Sequence, residues 1–147
     1  MAAITLQQAR TIVDSALKRA RETGCAPLTV AVLDDGGHLK AFAREDGSGI
    51  LRPHIATGKA WGALGMGVGT RALAKRLAYN PQQHPFFTAL AGMSEGRVVP
   101  VPGGVLIRDA AGTVTGAVGI SGDASDKDEA CALAGIQAAG LTGDPGG

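Results

Sequence analysis

Aromatic side chains are scarce: Phe42, Trp61, Tyr79, Phe86 and Phe87 are the only five in 147 residues. A core therefore has to be assembled from Ala, Val, Leu and Ile. Charge of one sign is also lacking, with 14 Lys+Arg against 13 Asp+Glu and a net charge of +1. Without a basic excess to neutralise phosphates, a nucleic-acid footprint is excluded. No stretch approaches the ~18 apolar residues that a membrane span requires, and Met1 to Arg10 has no basic segment followed by an apolar run, so a cytoplasmic location with no membrane partner is expected. Two cysteines, Cys25 and Cys131, stand far apart in sequence with no CxxC or Cys/His spacing. They read as free thiols, and zinc is not expected.

Glycine is what the chain has in excess, 23 residues, about twice the usual share. In an apolar, non-repetitive chain this means tight turns and close backbone approaches. No linker or repeat divides the sequence, which reads as one domain over residues 1–147 with a Gly/Pro-rich, frayed tail from about residue 142.

Thr5 is a good N-cap, and Leu6, Ala9, Val13, Ala16, Leu17 and Ala20 follow at helical spacing until Gly24. Leu28 to Leu33 and Leu39 to Arg44 pair as a hairpin across Asp34-Asp35-Gly36-Gly37. Pro53 suits the first turn of a helix reaching about Leu64. Gly65-Met66-Gly67-Val68-Gly69 breaks it, Thr70 caps a short helix from Arg71 to Ala78, and Asn80-Pro81 stops that one. Periodicity is weak from Gln82 to Gly96. Val98 to Val101 reads as a proline-interrupted edge strand, Val105 to Arg108 and Val114 to Ile120 as a second hairpin turned by Asp109 to Gly112, and Ser125 opens a final helix. The sum is an α+β domain with a helix-covered antiparallel sheet.

The polar groups around the second helix carry most chemistry. His54 falls in its first turn with Gly58, Trp61 and Gly65 on the same face, while Lys59 lies about 140° away at 100° per residue. A histidine there meets the positive end of the helix dipole, which favours its neutral, metal-binding form. A lysine flanked by Ala56, Gly58, Ala60 and Gly62 either snorkels to water or points at an anion. Arg44 and Asp46 close the first hairpin and suit an ordinary surface ion pair. His38 and His84 share no ligand spacing with His54. Gly65-x-Gly67-x-Gly69-Thr70 opens a helix as a phosphate cradle does, but it follows a helix and not a strand. Gly119-Ile120-Ser121-Gly122 sits where a strand turns into a helix, but Asp123 occupies the last glycine position of a nucleophile elbow, so Ser121 reads as a turn serine. Asp126, Asp128 and Glu129 are accounted for by the dipole of the final helix.

The run Val32-Leu33-Asp34-Asp35-Gly36-Gly37-His38-Leu39, Arg44-x-Asp46, Ala56-Thr57-Gly58-Lys59-Ala60, Pro102-Gly103-Gly104-Val105 and Gly116-Ala117-Val118-Gly119-Ile120-Ser121-Gly122, followed by Asp128-Glu129 and Ala134-Gly135, resembles the GlcG/HbpS-like haem-binding domain family from about Ile4 to Leu141. The resemblance implies a three-layer α/β/α fold of profilin-like type with a five-stranded antiparallel sheet, and assembly into dimers or larger homo-oligomers. It implies haem or a related tetrapyrrole as ligand. His54 is then the candidate axial ligand, Lys59 or Arg44 pair with propionates, and Trp61, Gly103, Gly104 and Ser121 lie at the ligand. Leu106 and the segment Arg52-Pro53-His54 depart from the family's common pattern, and the latter puts an imidazole near the expected pocket. The alternative is a cofactor-independent isomerase or lyase acting on a small organic acid, with Arg44 and Lys59 holding the carboxylate and His54 as acid/base.

Overall fold

A computed structural model describes residues 3–147. Thr5 opens α1 (Leu6–Glu22) with a capping box: its hydroxyl accepts from the Gln8 amide, and the Gln8 side chain accepts from the Thr5 amide. Ala9, Ile12, Val13, Ala16 and Ala20 form the buried stripe. The hairpin β1 (Thr29–Asp34) and β2 (Leu39–Arg44) is closed by Asp34, whose Oδ1 accepts from the amides of Gly36 and His38. Three helices follow: α2 (Arg52–Met66), α3 (Thr70–Tyr79) and, after a 3-10 turn at Pro81–Gln83, α4 (His84–Met93). Then come β3 (Gly104–Arg108), β4 (Val114–Ser121), α5 (Ser125–Ala138) and β5 (Thr142–Asp144).

The five strands form one sheet in the order β2-β1-β4-β3-β5, every neighbouring pair antiparallel. Alternation of side chains puts Val30, Val32, Val105, Ile107, Val118 and Ile120 on the face covered by α1 and α5. Leu33, Leu106 and Ala117 face α2, whose Ala60 and Ala63 they meet. The expected α+β, three-layer architecture with five antiparallel strands is therefore present.

The glycine excess explains how closely the α2 layer sits. A side chain at Gly119 would strike the Ala56 carbonyl, and one at Gly104 the Lys59 carbonyl, so α2 rests directly on the backbone of β4 and β3. The helix ends on Gly67, whose left-handed φ of 73° turns the chain so that the following Val68 amide reaches back to the Ala63 carbonyl at 3.2 Å.

Three expectations are corrected, and one segment without a clear pattern takes a definite form. Val98 to Val101 is not a strand: Pro100 and Pro102 supply no amide donors, and Val98 and Val99 pack over Gly62 and Gly58 of α2 as an irregular strap. The fifth strand is instead β5, in the tail expected to fray, where Thr142 and Gly143 pair with Arg108 and Ile107. Arg108 holds it through Nε and Nη2, both donating to Asp144 Oδ2 at 3.0 and 2.9 Å. Thr70 does not cap α3, whose N-cap is Gly69; its buried hydroxyl accepts from the Gly104 amide at 2.8 Å, tying α3 to β3. The weakly periodic stretch from Gln82 contains α4, an apolar helix on which Phe86 and Met93 stay exposed.

Candidate functional site

Pro53 sits in the first turn of α2, where its missing amide costs nothing. It delivers His54 to the exposed side of the helix, and one and two turns on, Thr57, Gly58 and Trp61 continue the same stripe. These residues form one wall of a cleft of about 520 Å3. Gly37, from the β1–β2 turn, and Glu95, Gly96 and Arg97, after α4, form the rest.

The far wall is held against α2 by packing. A β-carbon at Gly58 would lie 2.6 Å from Val99 Cγ2 and 2.7 Å from the Arg97 carbonyl, so the strap reaches the helix only because no side chain stands there. Arg97 Nε donates to the Ser94 carbonyl at 3.1 Å, and its guanidinium carbon lies 4.2 Å from the centre of the Trp61 ring. This stacking fixes both the flat indole and a positive charge at the cleft. Glu95 adopts a left-handed backbone with φ 56°. The cleft thus assembles an imidazole, an aromatic plane, a cation and a carboxylate beside small residues.

Of the residues expected at the ligand, His54 and Trp61 are in the cleft; Lys59, Arg44, Gly103, Gly104 and Ser121 are not among its walls. Lys59 points through the opposite face of α2 and is 2% exposed. Its Nζ donates to the Ile120 carbonyl at 2.8 Å and to Asp128 Oδ2 at 3.1 Å, so the ammonium already has its anion. Gly103 lies beside this ammonium, the Gly104 amide is taken by Thr70, and the buried Ser121 hydroxyl accepts from Arg52 Nη1 at 3.0 Å. Arg44 donates to the Ser48 carbonyl at 2.7 Å and lines a separate hollow with Arg21, Pro27, Glu45 and Asp46. A grip on propionate or carboxylate by Lys59 or Arg44 beside His54 is not formed here.

The acidic start of α5 holds more than a dipole contribution. Asp128 Oδ1 accepts from the Asp123 amide while Oδ2 meets Lys59, and Glu129 takes Arg71 Nε on both oxygens at 3.1 and 2.9 Å. Burial comes first in pushing Asp128 above the usual carboxylate range, opposed by Lys59, and burial likewise pushes Lys59 below the usual lysine range, opposed by Asp128. Sequence reasoning missed Asp128 as a partner because 69 residues separate it from Lys59. It missed Glu95 and Arg97 because they follow a stretch without periodicity.

A family model described as haem-degrading protein HbpS-like matches residues 4–137. The chain belongs to the HbpS-like family. A crystal structure of HbpS is similar, with 29% identity over 93% of this chain and 90% of that one and a TM-score of 0.76. Protein ORFY of Klebsiella pneumoniae matches at 26% identity and TM-score 0.82, over 95% of this chain and 92% of that one. A PduOC:heme complex superposes with TM-score 0.82 over 95% and 96% of the two chains, and at 24% identity that likeness shows the fold. No curated protein matches the chain in sequence. Among the described residues no helix is long and apolar enough to cross a membrane.

Proposed function

We propose that the chain binds haem or a closely related tetrapyrrole in the cleft along α2, with His54 as axial ligand. The observation that carries this is an exposed imidazole on the same wall as Trp61, in a cleft of about 520 Å3 that also holds Arg97. The donor set fits: an imidazole suits iron, the indole gives the macrocycle a flat apolar contact, and the Arg97 cation suits a propionate. Family membership supports the reading, as does the haem carried by the PduOC neighbour of the same fold. Hemin titration followed in the Soret region is the test. Wild type is expected to saturate with a shifted band, His54→Ala to lose that shift, and Arg97→Ala to bind more weakly with the band position kept. An unchanged Soret band in His54→Ala overturns the ligand assignment.

A second reading rests on Glu95 and Arg97 flanking His54: a cofactor-independent isomerase or lyase, in which Arg97 anchors a small organic acid and His54 moves its proton. A thermal-shift screen in which no small acid raises Tm counts against it. We also propose a homo-oligomer, supported by Ile50 and Leu51, 89% and 67% exposed beside the start of α2. A monomer mass in light scattering would reject it.

A further inference from the structure

Cys25 and Cys131 are separated by most of the chain, yet the fold brings them together. Cys25 follows α1, where its amide donates to the Ala20 carbonyl, and Cys131 lies in the second turn of α5. Both are buried in the cluster formed where these two helices pack on the sheet. Both line one cavity of about 150 Å3, together with Arg19, Thr23, Lys127 and Ala130. The Thr23 hydroxyl lies 3.5 Å from Cys25 Sγ. A small uncharged oxidant fits such a space, and two cationic side chains stand at its walls.

We propose that Cys25 and Cys131 form a reversible redox pair, oxidised by a peroxide to an intramolecular disulfide that clamps the end of α1 to α5. Cys25 sulfur attacks the peroxide O–O bond, takes one oxygen as sulfenic acid, and the other oxygen leaves as water. Cys131 sulfur then displaces the bound oxygen, which leaves as a second water, and the S–S bond forms. Both thiol protons depart with the two waters, and the two electrons lost by sulfur reduce the peroxide. Cys25 is the more exposed of the two, 5% against 1%, with the Thr23 hydroxyl beside its sulfur, so Cys25 takes the first step and Cys131 resolves it. Burial, then the adjacent Cys25, pushes the Cys131 thiol up to about 12. Closure of a loop of roughly a hundred residues favours the folded state in the oxidised form.

The test is hydrogen peroxide treatment of the purified chain, alkylation after unfolding, and intact and peptide mass analysis. A loss of two hydrogen masses, no alkylation, a linked Cys25–Cys131 peptide and reversal by a dithiol are expected, with a higher Tm for the oxidised chain. Cys131→Ser is expected to accumulate a dimedone-reactive sulfenic acid at Cys25, whereas Cys25→Ser leaves Cys131 unmodified. Two alkylatable thiols after treatment, or sulfinic acid without the linked peptide in wild type, would overturn the proposal.

Discussion

Removing the Asp128 carboxylate would strand the Lys59 ammonium in a place water does not reach, where among the described residues it keeps only the Ile120 carbonyl as partner. Asp128→Asn or Lys59→Met alone is expected to cost about 3–5 kcal/mol, read from urea unfolding at neutral pH. Lys59→Met with Asp128→Leu removes both charges and should restore stability to wild-type level or above. The pH dependence has a definite sign. Asp128 holds its proton more tightly folded than unfolded, so its contribution is fully present below about 3.8 and is lost as pH rises through the raised value. Lys59 holds its proton less tightly folded, so its contribution is present above about 10.5 and is lost as pH falls through the lowered value. Wild type should therefore lose ground to the double variant as pH climbs from 3.8 and regain it towards 10.5; a flat difference would contradict the assignment. Of the two polar residues on this helix, His54 faces ligand space and Lys59 holds layers together. Helical spacing had already put them on different faces.

At the scale of elements, α2 carries the site because its two faces have different neighbours. One face lies on glycines of β4 and β3, and the other exposes His54 and Trp61 under the 97–99 strap. Gly58→Ala is expected to lift that strap, since its new methyl meets Val99 and the Arg97 carbonyl at 2.6 and 2.7 Å. A destabilisation of about 1–3 kcal/mol should appear in thermal melts, together with a change in Trp61 fluorescence as Arg97 moves away. Gly65→Ala is the control in the same helix: beyond its chain neighbours and the helix's own backbone, no atom of the described residues stands within 4 Å of its β-carbon, so stability should rise by about 0.4–1 kcal/mol. The elements themselves were largely legible, since caps such as Thr5, turn residues such as Asp34 and Asp109, and alternating strands act through near neighbours in sequence. The strap was not. Val98 and Val99 carry the side chains of a strand, and what holds them over α2 is two glycines more than thirty residues earlier. Thr70 failed for the same reason, because a hydroxyl that local rules assign to a helix cap found a better partner in the Gly104 amide.

The whole molecule divides its tasks between the two sides of the sheet. The α1–α5 side holds the larger apolar cluster and both cysteines, and the α2 side holds the cleft. The far sheet edge closes with β5, whose Asp144 binds Arg108 and whose following Pro145 carbonyl accepts from the Arg71 amide. Composition hid this strand, because Thr142, Gly143 and Asp144 carry no apolar alternation and their pairing depends on β3. Deleting residues 142–147 removes that pairing and the Arg108 contact, so a lower Tm is expected, by about 2–4 °C for each kcal/mol lost. None of the cleft residues belongs to β5 or touches it in a hydrogen bond. The hemin titration midpoint of the shortened chain should therefore match wild type at a temperature where both are folded. Stability lost with binding kept would place the ligand on the α2 side. A parallel loss of both would mean that the sheet edge contributes to the site, and the cleft along His54 and Trp61 would no longer account for binding.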